Sequence, residues 1–325
     1  MTGTTTTSSS SPASGSGAVL LRTRTRRSTG EALIRVLLAA AATVSVLTTV
    51  LIVFSLIRET VSFFGEVPLA DYLLGDKWTP LLGGEQQSFG VLPLVWSTLY
   101  ITFIALAFAV PVGLLSAIYL SEYAPTKVRK TIKPILEVLA GVPTIVFGYF
   151  ALTFFTPEFL KGFLNLDIAS NNQLAAGLIC GLLVMPIIAS VAEDGMSAVP
   201  AALREGAFGL GANRMQVAIR VVFPAALSGV VAGIVLGASR AIGETLVILL
   251  AAGNGQLLPN GPVTDPGEPA GSMAAFIAGT AGGDIPTGSL EYETIFAVGF
   301  TLFLITLVLN MISIRLVNKY RQVYE

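Results

Sequence analysis

Residues Ala225–Ala252 read AALSGVVAGIVLGASRAIGETLVILLAA. A helical run of about 20 apolar residues crosses the hydrocarbon core of a bilayer, and this one is long enough. It nevertheless carries Arg240 and Glu244 well inside its length. A charge in hydrocarbon is costly, so intramembrane Arg and Glu face a protein interior or a polar pathway and tend to pair. The stretch therefore predicts one helix of a membrane bundle.

The rest of the chain agrees. Of 325 residues, 53% are hydrophobic and only 12% are charged. The mean hydropathy of +0.77 is far above that of a soluble globule. Six apolar stretches reach spanning length: Ala32–Ile57, Val91–Leu120, Ile135–Phe155, Gln173–Val191, Ala225–Ala252 and Thr294–Val317. The expected fold is all-α, a polytopic membrane protein of six transmembrane helices. Residues 31–90 would supply the first helix and an outer loop, and residues 91–318 a core of five helices. Pro111 and Pro143 fall inside the second and third stretches and predict kinks or local unwinding there.

Lysine and arginine placement orients the chain. With the N-terminus inside, the inner segments collect Arg22, Arg24, Arg26 and Arg27, then Lys127, Arg129, Lys130 and Lys133, then Arg204, Arg214 and Arg220, then Arg315, Lys319 and Arg321. The outer segments hold only Arg58, Lys77 and Lys161. The positive-inside rule then predicts that both termini, including the tail 319–325, are cytoplasmic. Residues 1–30 are rich in Thr, Ser and Arg, have little to bury and read as disordered. The Arg26-Arg27 pair reads as a basic flank, because the apolar run after it is too long for a cleaved signal.

Composition also excludes chemistry. There is no histidine, which removes Ser-His-Asp and Cys-His catalysis and every His-containing metal site, so no catalytic residue, metal ligand or cofactor is assigned. Cys180 is the only cysteine, which rules out an internal disulfide. The net charge of -1 gives no footprint for nucleic acid. No G-x-x-x-x-G-K-[ST] phosphate loop occurs. Work against a gradient would therefore draw on a nucleotide bound by another chain. The outer connections Arg58–Gly90, with Tyr72 and Trp78 as candidate interfacial anchors, and the Gly- and Pro-rich Gly253–Glu293 are either docking surfaces for an external partner or plain connections.

Between the fourth and fifth stretches, residues 194–224 exceed what a turn needs. Pro200 suits a helix start, AALREGAF (Ala201–Phe208) forms a short amphipathic helix, and Gly209 and Gly211 can end it. In the fifth stretch, about 100° per residue places Gly229, Gly233, Gly237, Arg240 and Glu244 on one face about 80° wide. The G-x-x-x-G repeats allow another helix to approach closely, and a second pair lies at Gly177 and Gly181. The charged pair is then expected in a helix interface. Two readings remain open: a structural salt bridge, or an anion site in which the guanidinium fork meets a tetrahedral oxyanion and Glu244 keeps the arginine paired when the site is empty. Ser239, Thr245 and Thr144 add hydroxyls that could donate to such an anion or bond back to their own backbone. Glu122, Glu137 and Glu193 read as interfacial, and Arg35 as snorkelling to the inner surface.

The loop resembles the EAA motif of ATP-binding-cassette importer permeases: Glu205-Gly206-Ala207, three residues, Gly211, nine residues, then Val221-Val222-Phe223-Pro224. Gly206 departs from the usual alanine, at about 0.5–1 kcal/mol in a helix interior. The resemblance implies the type I importer permease fold and a coupling helix that sits in a groove of the ATPase. Arg204, Glu205, Gly206, Ala207, Gly211 and Pro224 would be its coupling residues. In addition, LGASRAIGETLVILLAAGN (Leu236–Asn254) and EVLAGVPTIVFGYF (Glu137–Phe150) are similar to permeases of the phosphate-specific (Pst) system, with the GET ending closer to the PstC-type subunit. That similarity covers roughly Gly90 to the C-terminus. It implies a bacterial cytoplasmic-membrane subunit with no enzymatic activity of its own, which binds phosphate at Arg240 and Glu244; the hydroxyls of Ser239, Thr245 and Thr144 remain weaker candidates on their chemistry alone. The implied partners are a PstA-type sibling permease, a PstB-type ATPase dimer, a PstS-type extracytoplasmic phosphate-binding protein and membrane lipid. A permease for another oxyanion, or a channel that uses no ATPase, are the competing readings.

Overall fold

A computed structural model describes residues 27–320, so the Thr/Ser-rich segment through residue 26 and the tail 321–325 lie outside the described residues. Every regular element described is helical, apart from isolated bridges at Trp78. The chain divides into two compact units, residues 1–53 and 54–325. Helix α1 (Arg27–Glu66) begins in the first unit. There Leu33, Leu37, Val44 and Leu51 are all more than half exposed. A helix that is apolar all round is in its proper solvent in lipid.

The second unit holds α2 (Leu69–Leu74), α3 (Leu92–Ile118), α4 (Thr126–Ala140), α5 (Thr144–Phe150), α6 (Gln173–Ser197), α7 (Ala201–Gly209), α8 (Arg214–Val217), α9 (Phe223–Ala225), α10 (Leu227–Ile242), α11 (Leu246–Ala251), α12 (Met273–Ala281) and α13 (Leu290–Tyr320). Wide π-turns continue α3 over Tyr119–Tyr123, continue α5 over Ala151–Phe163, and join α8 to α9 over Ala218–Val222. Among the described residues, four helices are long and apolar enough to span a membrane on their own: Glu31–Glu66, Leu92–Tyr123, Gln173–Ser197 and Leu290–Arg315. Six is reached when two bent pairs count as one span each: Thr126–Ala140 with Thr144–Phe163, bent by 85°, and Arg214–Ala225 with Leu227–Ile242, bent by 72°.

Proline acts as expected at one site and not at the other. Pro143 is the N-cap of α5, and the elbow after Ala140 lies just before it. Pro111, by contrast, sits inside an unbroken α3. The packing of α3 along α6 holds the helix on both sides of the missing donor. A larger departure concerns Ala225–Ala252, expected as one helix. Here α10 stops at Ile242, Gly243 to Thr245 break the path, and α11 restarts at Leu246. The 100° bookkeeping therefore holds for the glycines and Arg240 but not for Glu244.

Helix α6 is the centre of the second unit. On one side it meets α3, where a Cβ added to Gly177 would lie 2.6 Å from Ile104 Cγ2 and one on Gly181 2.7 Å from the Ala105 carbonyl. On the other side it meets α10. A Cβ on Gly229 would come 2.8 Å from the Gly195 Cα, and one on Gly237 2.6 Å from Ile188 Cγ1. The small-residue stripes thus do what the sequence predicts, and both helices seat on α6 at backbone distance. Fully buried Ile188 fills the space between Gly113 of α3 and Gly237 of α10.

The end expected to face outward differs from expectation in its packing. Tyr72 and Trp78 are not interfacial anchors: they are 1% and 0% exposed, in a cluster with Phe63, Leu94, Met273, Phe276 and Val298. Trp78 exchanges backbone hydrogen bonds with Leu258 at 3.1 and 2.8 Å, and its ring meets Phe276 edge-on at 4.9 Å. The Gly- and Pro-rich connection contains α12, whose start is capped by Ser272 accepting from the Ala275 N–H at 3.1 Å. Two outer connections that look loose in sequence therefore lock onto each other.

Backbone contact at Gly229 leaves no room for a side chain. Gly229→Leu is expected to destabilise the detergent-solubilised protein by about 1–3 kcal/mol, seen as a lower thermal midpoint. An unchanged midpoint would mean that α10 and α6 do not meet there.

Candidate functional site

Arg240 lies in the last turn of α10, and Glu244 two residues beyond its end. Their side chains are 47% and 3% exposed, and Arg240 Nη2 stands 4.0 Å from Glu244 Oε2. That distance is outside hydrogen-bonding range, so the two charges face each other without a clasp. Glu244 is instead fixed by the backbone: Oε1 receives the Val247 N–H at 3.4 Å, in the first turn of α11. The pair was expected inside the helix interface, and only Glu244 is buried. Gly233, Gly237 and Ala241 take up the contact with the core, while the long Arg240 side chain emerges beside it. A buried carboxylate beside a half-exposed guanidinium that it does not hydrogen-bond leaves the N–H groups of the cation open to an anion.

The hydroxyls disperse. Ser239 Oγ donates to Asn310 Oδ1 of α13 at 3.1 Å, on the wall of a groove of about 770 Å³ between α10 and α13. Thr245 Oγ1 bonds back to the Gly243 carbonyl at 3.2 Å. Thr144 opens α5, whose Gly148 rests on Leu246 and Leu250 of α11, and no described hydrogen bond joins Thr144 to the charged pair. Thus Ser239 and Thr245 flank Arg240 and Glu244 in the chain, while Thr144 lies on the neighbouring half-helix.

The loop 194–224 folds as its residues dictate. Pro200 precedes α7, and the helix closes with the Ala212 N–H on the Ala207 carbonyl at 3.1 Å and the Gly211 N–H on Phe208 at 2.9 Å. This is a Schellman closure, and Gly211 supplies its left-handed residue at φ +84°. Asn213 and Gln216 then form a reciprocal capping box that starts α8. Glu205, Gly206, Phe208 and Leu210 are exposed, Leu210 at 91%, and a Cβ on Gly206 would meet nothing within 4 Å. Ala207 is half-buried against the inner cluster, and Pro224 lies in α9, behind α7 in the chain. Of the acids read as interfacial, Glu137 is exposed and Glu122 is not, and the Arg204 side chain, 21% exposed, turns toward Glu122. It donates to Glu122 Oε1 at 3.0 and 3.3 Å and to the Met196 and Val199 carbonyls at 2.8 and 2.6 Å.

Glu193 is likewise not interfacial. It is 0% exposed and receives Arg129, Lys133 at 2.8 Å and the Ser197 hydroxyl at 2.8 Å, while Lys133 also pairs with Asp194. This cluster binds the basic α4 to α6, and it and Asn310 were missed in the sequence. The alternation of bases on α4 with Glu193-Asp194 is a signal, but nothing local says that the two segments adjoin.

Residues 109–322 match the family described as binding-protein-dependent transport system inner membrane component. The chain belongs to this family. It is 33% identical to the phosphate transport system permease protein PstC of Pasteurella multocida, over 76% of this chain and 79% of that one. It is 32% identical to PstC of Haemophilus influenzae, over 81% and 84%. It is also 30% identical to the probable ABC transporter permease protein YqgH of Bacillus subtilis, over 89% and 91%. Among solved structures it superposes on a bacterial ABC transporter that imports alginate with a TM-score of 0.61, at 16% identity, covering 91% of this chain and 100% of that one. With the methionine transporter MetNI the TM-score is 0.54, at 22% identity, covering 70% and 95%. The permease thus has the type I importer fold and is a multi-pass protein of the cell membrane. It is a transport subunit that works with a separate ATPase and a binding protein.

Phe208 and Leu210 are exposed at the end of α7, so the expected ATPase contact there can be tested directly. Cysteines placed at Phe208 and Leu210 are expected to react rapidly with a maleimide in the isolated permease and to be protected once the ATPase assembles. Buried Cys180 keeps the background low. Equal labelling with and without the ATPase would remove α7 from the contact.

Proposed function

We propose that this chain is the PstC-type half of an ATP-driven importer of inorganic phosphate. It pairs with a PstA-type sibling, docks a PstB-type ATPase dimer on the α7 side, and receives phosphate from a PstS-type binding protein at the other end. The names of its relatives support the substrate. The observation that carries the reading is the charged pair: a half-exposed arginine 4.0 Å from a buried carboxylate, at a break in a membrane helix. Irregular backbone at membrane depth is tolerated where it is enclosed in protein or lines a polar cavity.

Arg240 offers a planar fork of N–H donors to a tetrahedral oxyanion that has shed its water. An unopposed arginine in low dielectric would trap such an anion. Glu244, held by the Val247 N–H, competes for the guanidinium and so favours release. Ser239 and Thr245 lie close enough in sequence to donate to the same anion, at the cost of their present bonds to Asn310 and Gly243. Thr144 would join from α5 only if the two half-helices close together. Glu205, Gly206, Ala207, Gly211 and Pro224 shape or present the ATPase-facing loop, so that hydrolysis in trans alternates access to the anion.

The test is uptake by proteoliposomes that carry the complete transporter. Phosphate, and not sulfate, is expected to stimulate ATP hydrolysis and to accumulate. Arg240→Lys keeps the charge but loses the fork, and should lower phosphate uptake roughly tenfold or more, the worth of about 1.5–3 kcal/mol for a charged hydrogen bond. Glu244→Gln should alter release and hence basal ATP hydrolysis. Preference for sulfate would change the substrate, and wild-type uptake by the lysine variant would remove Arg240 from the site.

A further inference from the structure

We infer that Arg204 and Glu122 form an internal strut that transmits the movement of α7 to the membrane helices. Arg204 is thereby a positioning residue of transport and not part of the ATPase contact. The inference goes beyond the proposed substrate and rests only on the chain being an importer permease.

Helix α7 is nine residues long, contains Gly206 and Gly209, and has no buried residue. A helix this short is marginal on its own in water, and glycines weaken it further. For it to act as a lever, something must fasten it to the bundle. Its apolar hold is the half-buried Ala207 and the neighbouring Ala212. Its polar hold is Arg204, whose side chain is 21% exposed and makes four hydrogen bonds, all of them away from α7.

The partners give those bonds their meaning. Met196 lies in the last turn of α6 and Val199 two residues past its end, where the helix dipole favours a cation. Glu122 lies in the π-turn that ends α3, with its side chain 8% exposed and one oxygen also receiving the Ser121 hydroxyl at 3.0 Å. One guanidinium therefore ties α7 to the ends of α3 and α6, which pack at backbone distance. Its planar fork allows this, because separate N–H groups point at the carboxylate and at the carbonyls at once. Glu205, the next residue, faces outward. Adjacent positions of one helix thus divide the work, one outside toward a partner and one inside toward α3 and α6.

A packing role and a transmitting role separate in the ratio of substrate imported to ATP hydrolysed, measured in proteoliposomes of the complete transporter with its loaded binding protein. Glu122→Gln removes the charge and leaves the Arg204 bonds to Met196 and Val199 in place. It is expected to assemble, and to lower the ratio roughly fivefold or more, the lower end of usual coupling free energies, while binding-protein-stimulated hydrolysis continues. Arg204→Lys, a point charge that cannot span three partners, should lower the ratio in the same way. A ratio equal to wild type in both variants overturns the proposal, as does loss of assembled complex in both, since either would make the pair structural. The wild-type vesicles report separately on the functional reading, because their substrate preference is measured in the same experiment.

Discussion

Helix α6 can be approached at backbone distance on two sides, and the rest of the second unit follows from that. Lipid is as apolar as a leucine side chain, so membrane helices gain little from hiding hydrophobic surface from each other and rely on close packing instead. Gly177 and Gly181 admit α3, and Gly195 with Gly229, Gly233 and Gly237 admits α10. Once α10 is seated, its rotation is fixed. Gly237 and Ala241 face the core, and the Arg240 side chain then leaves the seam half-exposed. The position of the one arginine in the middle of this span is thus a consequence of glycines one to three turns away.

The two ends of the molecule are held by different physics. At the α7 end the fastening is ionic and hydrogen-bonded: Glu193 with Arg129 and Lys133, and Arg204 with Glu122 and the Met196 and Val199 carbonyls. Such contacts have fixed geometry and pull as well as push, which suits an end that passes on movement. At the other end the fastening is aromatic and apolar, with Trp78, Tyr72, Phe63 and Phe276 interleaved and the Tyr72 hydroxyl 2.8 Å from Thr301 Oγ1. Burial pushes the Tyr72 phenol well above its ordinary value, so it stays neutral at any physiological pH. That end is held by apolar packing that does not change with pH.

Breaks in helices supply the remaining design. The elbow before Pro143, the bend at Ala226 and the gap from Gly243 to Thr245 each interrupt an apolar path. Each leaves backbone groups to be satisfied by neighbouring protein. Glu244 does this at the third break by accepting the Val247 N–H, so the acid opposite Arg240 also starts a half-helix.

The amino-acid sequence by itself determined that the chain is helical and membrane-embedded, where its apolar stretches lie, which glycines pack, and how the loop 194–224 folds. These are consequences of local rules: the cost of charge and of unpaired backbone in hydrocarbon, Pro200 at a helix start and Gly211 at a helix end; the capping box of Asn213 and Gln216 was local too but was not read. Family membership was legible for the same reason, since the loop motif is contiguous. Tertiary structure alone decided that Glu244 lies past a helix end, that Arg204 turns toward Glu122, that Glu193 is buried, and that Trp78 belongs to a core. Each of these depends on a partner distant in sequence, and periodicity along one helix says which face a residue occupies without saying what stands opposite.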